Sequence, residues 1–270
     1  MNLFDAIGRR RSVRKYSGEE LSDGEIGWIE GLLEGERTYQ SDVSAGAALL
    51  LEGKRFQEDL SGVVANYGKV EAPHYLVLTS EGTNKGYVEI GYRYEYLVLA
   101  LTATGVGTCW IGKGFDDDVL EDYVSIPPGQ TCNALIAFGP PASDQTLDEI
   151  EKPHRRKVED FVINGDGDAL GDEVRRIVDC LRRAPSSINS QPWRVGIEDY
   201  AIHLFMRKRS GITRRFITSL SVMNRIDSGI GLCHLEVAGK KIWGDSLIEN
   251  LSKRDRDGMS YIGSLVCSQG

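Results

Sequence analysis

The chain has no apolar run approaching the roughly 20 residues needed to cross a bilayer, and none of its residues form an apolar leader behind a basic start: it opens Met-Asn-Leu-Phe-Asp-Ala-Ile-Gly-Arg. These absences predict a cytoplasmic chain with neither a membrane span nor a secretory signal. Cysteine is sparse and unpatterned. Cys109, Cys132, Cys180, Cys233 and Cys267 stand singly, without C-x-x-C spacing, which excludes a zinc ribbon and predicts reduced, mostly buried thiols. His74, His154, His203 and His234 are equally isolated, so no metal site is expected. Positive charge is in deficit as well. A net charge of −8 argues against a nucleic-acid partner.

Ordinary globular material remains. With 270 residues, 41% of them hydrophobic and 27% charged, the chain can bury one large core or two smaller ones. Against the acidic background two basic clusters stand out: Arg9, Arg10, Arg11, Arg14 and Lys15 near the start, and His154-Arg155-Arg156-Lys157 further on. Such clusters suit either a specific anion or a solvated helix end. The most informative stretch is Ala184-Pro185-Ser186-Ser187-Ile188-Asn189-Ser190-Gln191-Pro192-Trp193. Two prolines fix the backbone and remove donors, so it is neither regular helix nor central strand. Its serines, asparagine and glutamine put donors and acceptors on a stiff frame, as a polar planar ligand requires. The same composition also suits a plain helix-to-strand turn.

Periodicity predicts helices over 2–11, 22–34 (with Ser22 and Asp23 as candidate caps) and 171–183. The strongest pattern is 86–105, apolar on most faces and therefore central, closed by Gly105-Val106-Gly107; residues 226–239 read as a second central helix. Strands are expected at 45–52 (turned by Gly53-Lys54), 75–79, 108–112, 133–138, 194–198, 201–206 (around Asp199-Tyr200) and 259–267. Asn164-Gly-Asp-Gly-Asp168 reads as a flexible connection. The order of helix, short strands, apolar central helix and strand occurs twice. This predicts an α+β chain of two related halves, 1–163 and 164–270, with mixed or antiparallel sheets around central apolar helices.

At this point four segments resemble the FMN-dependent nitroreductase family. Arg10-Arg11-Ser12-Val13-Arg14 is similar to its phosphate-binding segment, and Pro185–Trp193 to its flavin-contacting loop. Gly105–Gly112 is similar to the glycine-containing segment after its central helix, and Arg155-Arg156-Lys157 to its late basic residues. The usual family order puts the Pro-Ser loop soon after Arg-Arg-Ser. Here that place holds Gly-Glu-Arg-Thr-Tyr-Gln-Ser-Asp-Val-Ser-Ala, residues 35–45, and the loop appears in the second half. Family members are homodimers with the flavin at the interface. The chain thus resembles a fused pseudo-dimer, the single-chain TM nitroreductase subgroup, which implies one flavin per chain and permits a monomer.

The resemblance implies FMN as cofactor and NAD(P)H as electron donor, with a small organic molecule as acceptor. Arg10, Arg11 and Ser12 would hold the phosphate, with Arg155, Arg156 or Lys157 approaching from the other side. Arg14 would lie by the N1–C2=O edge, where reduction places negative charge. Pro185, Ser186, Ser187 and Asn189 would meet the ring edge or ribityl chain, while Gln191 and Trp193 hold the loop's own shape. Backbone amides of Gly107 and Thr108 would reach N5. Cys109 is expected to be a packed thiol, and no protein acid, base or nucleophile is needed. Two alternatives are a flavin enzyme of different chemistry, such as dehalogenation or flavin fragmentation, and a non-catalytic flavin-binding or regulatory protein that retains the fold.

Overall fold

In the computed structural model, which describes residues 1–35, 37–60, 70–114, 116–142, 147–150, 152–163, 170–198, 200–208, 214–256 and 258–267 (214–220 as backbone), the chain forms two compact units, each made of three segments of chain. Met1–Arg37, Ser41–Gly86 and Leu97–Lys152 make the first; Thr38–Gln40, Tyr87–Tyr96 and Pro153–Gly270 make the second. The architecture is α+β, and its two sheets are antiparallel throughout.

In the first unit the apolar runs become strands β1 (Ala45–Leu50), β2 (His74–Ser80), β3 (Gly107–Gly112) and β4 (Thr131–Gly139), in the order β1-β2-β4-β3. The central pair, β2 and β4, is buried along nearly its whole length, as unbroken apolar sequence demands of strands covered on both faces. Helix α1 (Leu3–Arg9) is capped by Asn2, and α2 (Asp23–Glu34) by the reciprocal Ser22–Glu25 capping box, whose hydrogen bonds hold the Glu25 carboxyl below its usual range. Gly53-Lys54 does not turn the chain back into a strand. It opens a third helix, α3 (Gly53–Leu60), whose Phe56 and Leu60, one turn apart, are the apolar pair that packs inward in an otherwise charged segment. His74 is neutral and structural: Nδ1 donates to the Leu51 carbonyl at 3.1 Å, while Nε2 accepts the Leu21 amide at 3.0 Å. Burial lowers its pKa accordingly.

Helix α4 (Asn84–Thr104) starts at a Thr83 cap and ends at Gly105, whose φ of 93° closes the helix with a left-handed residue. Its middle, Tyr87–Tyr96, belongs to the second unit. There it meets α6 (Arg214–Ile242), which begins well before residue 226; its first part escaped the sequence reading because Arg214–Arg225 mixes charged, hydroxyl and β-branched residues without a readable period. The two helices touch backbone to backbone. A Cβ on Gly91 would lie 1.9 Å from the Ile226 carbonyl oxygen, and one on Gly229 1.9 Å from that of Val88. Around the crossing, buried Glu95 pairs with His234 at 2.9 Å, and Tyr92 donates to Glu236 at 2.8 Å.

The second unit's strands are β5 (Trp193–Glu198), β6 (Ala201–Arg207), β7 (Ser246–Glu249) and β8 (Met259–Cys267), in the order β5-β6-β8-β7. This repeats the order of the first sheet. The four-residue β7 is too short to show in the sequence. Helix α5 (Asp172–Arg183) packs on α6 with Ile177, Val178, Cys180 and Leu181 buried. The stretch Asn164–Asp168, read as flexible, and Asp199 of the expected turn lie outside the described residues.

Gly91→Ala and Gly229→Ala should each destabilise the protein by about 3 kcal/mol or more, because the added methyl meets rigid backbone and not a side chain that can yield. Denaturant unfolding measures this; a loss under about 1 kcal/mol would show that the helices can separate freely.

Candidate functional site

Two groups of predicted residues are assembled, one in each unit. In the first unit the segment after α1 runs as a short extended chain beside β3. Ser12 bridges Thr108 in parallel, and the Val13 amide donates to the Thr108 carbonyl at 2.9 Å. The approach is close enough that a Cβ on Gly107 would fall 2.8 Å from the Val13 side chain. Glycine at 107 therefore serves packing of the basic segment. On its other edge β3 pairs with β4, Gly107 opposite Gly139 and Thr108 opposite Phe138.

This docking buries two cations. Arg10 and Arg11 are 3% and 6% exposed, unusual for arginine. Arg11 donates to the carbonyls of Gly8 and Arg10, which folds its guanidinium back along its own chain. Arg14 is exposed, with a contact at 3.4 Å to the Ser12 carbonyl. The Thr108 hydroxyl lies in this neighbourhood, buried and without a hydrogen-bond partner. The Arg10–Arg14 segment thus runs along the edge of β3 that carries Gly107 and Thr108.

The second group is the Pro-Ser loop. Ser187–Asn189 forms a single 3₁₀ turn, and Ile188, Asn189 and Gln191 all have left-handed backbones, at φ 48°, 54° and 47°. For non-glycine residues, and for a β-branched isoleucine above all, this is strained by roughly 1–3 kcal/mol each. A dense set of bonds holds it. The Gln191 amide donates to Ser186 Oγ at 3.0 Å, and Gln191 Oε1 accepts the Arg156 amide at 2.9 Å. Asn189 Nδ2 donates to the His154 carbonyl at 2.8 Å, and its Oδ1 accepts from the Arg155 guanidinium. Arg155 also donates to the Ala184 carbonyl at 3.1 Å.

Gln191 and Trp193 hold the loop's shape, as expected; both are buried, and the indole donates to the Asp227 carbonyl at 2.9 Å. Asn189 thus bonds residues 154 and 155, and Arg155, one of the three basic residues expected on the phosphate side, reaches the loop. Lys157 is exposed, its amide bonded to Asp160 at 3.1 Å. Pro185 is buried, Ser186 and Ser187 half-buried, and Ile188 stands out with 73% exposure.

Sequence reasoning missed Asp227 and Arg194. The Asp227 carboxylate, 4% exposed, accepts the Ser187 amide at 3.1 Å on both oxygens. The Asp227-Ser-Gly229 sequence inside a helix was the available signal, since a carboxylate on a buried face must find donors. Arg194 lies beside Phe161, and burial together with Arg207 and Arg156 pushes its pKa down to about 10.

Residues 2–239 match the profile of a protein family described as "Putative TM nitroreductase". The chain belongs to this family. The TM nitroreductase fold is seen in a Thermotoga maritima nitroreductase that shares 24% identity and has a TM-score of 0.66, over 99% of this chain and 94% of that one. A Bacteroides fragilis nitroreductase solved with bound FMN aligns over 58% of this chain and 95% of its own, with 15% identity and a TM-score of 0.45. For a Clostridium novyi nitroreductase-family protein the values are 55%, 91%, 18% and 0.44. No curated protein matches the sequence. Membership in a nitroreductase family supports an oxidoreductase.

In this nitroreductase-family chain Cys109 is a packed thiol beside the basic segment. Burial raises its pKa, partly opposed by Arg14, Arg10 and a hydrogen bond with Ser12. Cys132 and Cys180 are pushed up to about 12 and about 11, again chiefly by burial. These thiols stay protonated at pH 8, so native protein treated with a disulfide reagent should show one fast thiol, the half-buried Cys267. Cys267→Ser should abolish that phase. A fast phase that persists would mean one of the buried cysteines is reactive.

Proposed function

We propose that this chain is an FMN-dependent oxidoreductase that passes hydride from NAD(P)H to a small organic acceptor. The observation that carries the proposal is the pair of buried arginines, Arg10 and Arg11, in one segment with Ser12 and Arg14. The donor set fits FMN. Arginine and serine offer N–H and O–H donors to a phosphate, each charge-assisted bond contributing about 1.5–3 kcal/mol, and the segment includes no acidic side chain. The unpartnered Thr108 hydroxyl adds a buried polar atom that a ligand with ring nitrogens and carbonyls would satisfy.

In this reading Arg10, Arg11 and Ser12 hold the phosphate, and Arg14 supplies positive charge for the electron-rich edge of the ring. Pro185, Ser186, Ser187 and Asn189 form the polar wall, stiffened by Arg155. Arg156 and Lys157, with Arg194, add cationic charge beside that wall. When bound, the flavin supplies the hydride chemistry at N5, so the protein's part is to bind, orient and stabilise charge. The Bacteroides fragilis relative with bound FMN agrees with this choice of cofactor in name.

Titration with FMN should give a saturable complex, followed by flavin fluorescence, and NADH or NADPH should bleach its visible absorption. The double variant Arg10→Ala, Ser12→Ala should bind FMN at least about 100-fold more weakly, two charge-assisted contacts being lost. A wild-type protein that binds no FMN would overturn the proposal. Binding without bleaching would leave a flavin carrier without turnover, and unchanged affinity in the double variant would remove the phosphate assignment.

A further inference from the structure

The Pro-Ser loop has a structural counterpart earlier in the chain. Helices α2 and α5 are 12 residues each, β1 and β5 six, β2 and β6 seven, and β4 and β8 nine. The segments joining helix to strand, α2 to β1 and α5 to β5, therefore occupy equivalent places in the chain. Tyr39 sits six residues before Ala45, and Ser187 sits six before Trp193. Both donate a backbone amide to both oxygens of a buried carboxylate, at 3.1 Å in every case: Tyr39 to Glu89 and Ser187 to Asp227. Each carboxylate stands two residues before a crossing glycine, Glu89 before Gly91 and Asp227 before Gly229. The device is the same; the cargo differs. At the first position the loop presents Tyr39, whose ring packs on Tyr92 and whose hydroxyl donates to the Ile262 carbonyl at 2.7 Å. At the second it presents the strained, polar Pro-Ser turn.

We infer that Asp227 is a positioning residue that locks the Ser187–Gln191 turn into its ligand-binding shape, whereas its counterpart Glu89 anchors a loop with no ligand. The inference rests on the flavin reading for what the turn contacts. Physically, the turn holds three left-handed non-glycine residues and would relax if released. Its first amide is clamped by Asp227 at 3.1 Å. Ser190 Oγ lies 3.5 Å from the same carboxylate, and the Asp227 backbone carbonyl receives Trp193, which follows the turn. One residue thus holds the turn at its start and just past its end. Asp227 touches no part of a bound flavin in this assignment; it acts through Ser187.

The test compares Asp227→Asn with Glu89→Gln, matched changes at the two anchors, in the full chain. Each is followed by amide hydrogen exchange without ligand and by FMN titration with the visible flavin spectrum. Asp227→Asn should speed exchange at Ser187 and neighbouring turn amides, weaken FMN roughly 10- to 100-fold and alter the bound-flavin spectrum. Asp227→Glu, which keeps the carboxylate, should recover part of that affinity. Glu89→Gln should speed exchange at Tyr39 and Gln40 yet leave FMN affinity within about 2-fold. Equal loss of FMN in both variants would show general destabilisation and overturn the inference, as would wild-type affinity and spectrum in Asp227→Asn. A wild-type chain that binds no FMN while Ser187 exchange still depends on Asp227 would overturn the flavin reading and not the clamp.

Discussion

The second unit depends on one constraint: at Gly91 and Gly229 two long helices meet with no side chain between them. Ordinary helix pairs pack through interdigitated side chains at 8–10 Å. Here the carbonyl oxygens of Val88 and Ile226 take the space where the Cβ atoms would be. An approach of that kind tolerates almost no rotation or slide. It fixes the register of every residue one or two turns away, including the buried Glu89, Glu95, Asp227 and Glu236.

Those four carboxylates are the second consequence. Helix segments this deeply buried should be apolar, and around the crossing most residues of α4 and α6 are. Each exception receives donors that would otherwise be stranded. Glu89 takes the amides of Tyr39 and Gln40, Asp227 that of Ser187, and Glu236 the hydroxyl of Tyr92 and the ammonium of Lys240. Glu95 pairs with His234, whose other nitrogen donates to the Cys180 carbonyl. A charge buried without partners would cost several kcal/mol, so these residues are tolerable only where loop amides, as at Glu89 and Asp227, or side chains of the two helices, as at Glu95 and Glu236, deliver donors to them. The helices thus specify the loop conformations as much as the loops' own sequences do.

This explains what was legible in the sequence. The central helices, the α+β class and seven of the eight strands follow from apolar period and run length, which are local properties. The Pro-Ser loop was visible because two prolines and a polar cluster restrict the backbone whatever surrounds them. Helix α3 and strand β7 were missed because so few of their residues face inward. The role of Asp227 was hidden for another reason. Its partner Ser187 is distant in sequence, and the acid looks like any polar residue on a helix until the crossing at Gly229 buries it. The bonds of Arg155 were not legible either: among the basic residues 155–157 the sequence does not say which reaches the loop, and the guanidinium of Arg155 meets the Asn189 side chain and the Ala184 carbonyl.

The loop's strain then has a physical explanation. Three left-handed residues cost roughly 3–9 kcal/mol together, more than a solvent-exposed turn of this length would retain unaided. The interactions opposing that cost are the Asp227 clamp, the Ser186 and Gln191 bonds, and the Arg155–Asn189–His154 knot. Were shape alone required, glycines at 188, 189 and 191 would give it with little strain. Glycine would also leave the turn mobile and remove the side chains of Asn189 and Gln191 that tie it to residues 154–156. Non-glycine residues in left-handed geometry trade intrinsic stability for rigidity. That exchange suits a surface whose donors must stand in place before a ligand arrives. The equivalent segment at Tyr39 is built differently. There a carboxylate clamp remains, none of the described residues 37–44 has a left-handed backbone, and an aromatic ring fills the space.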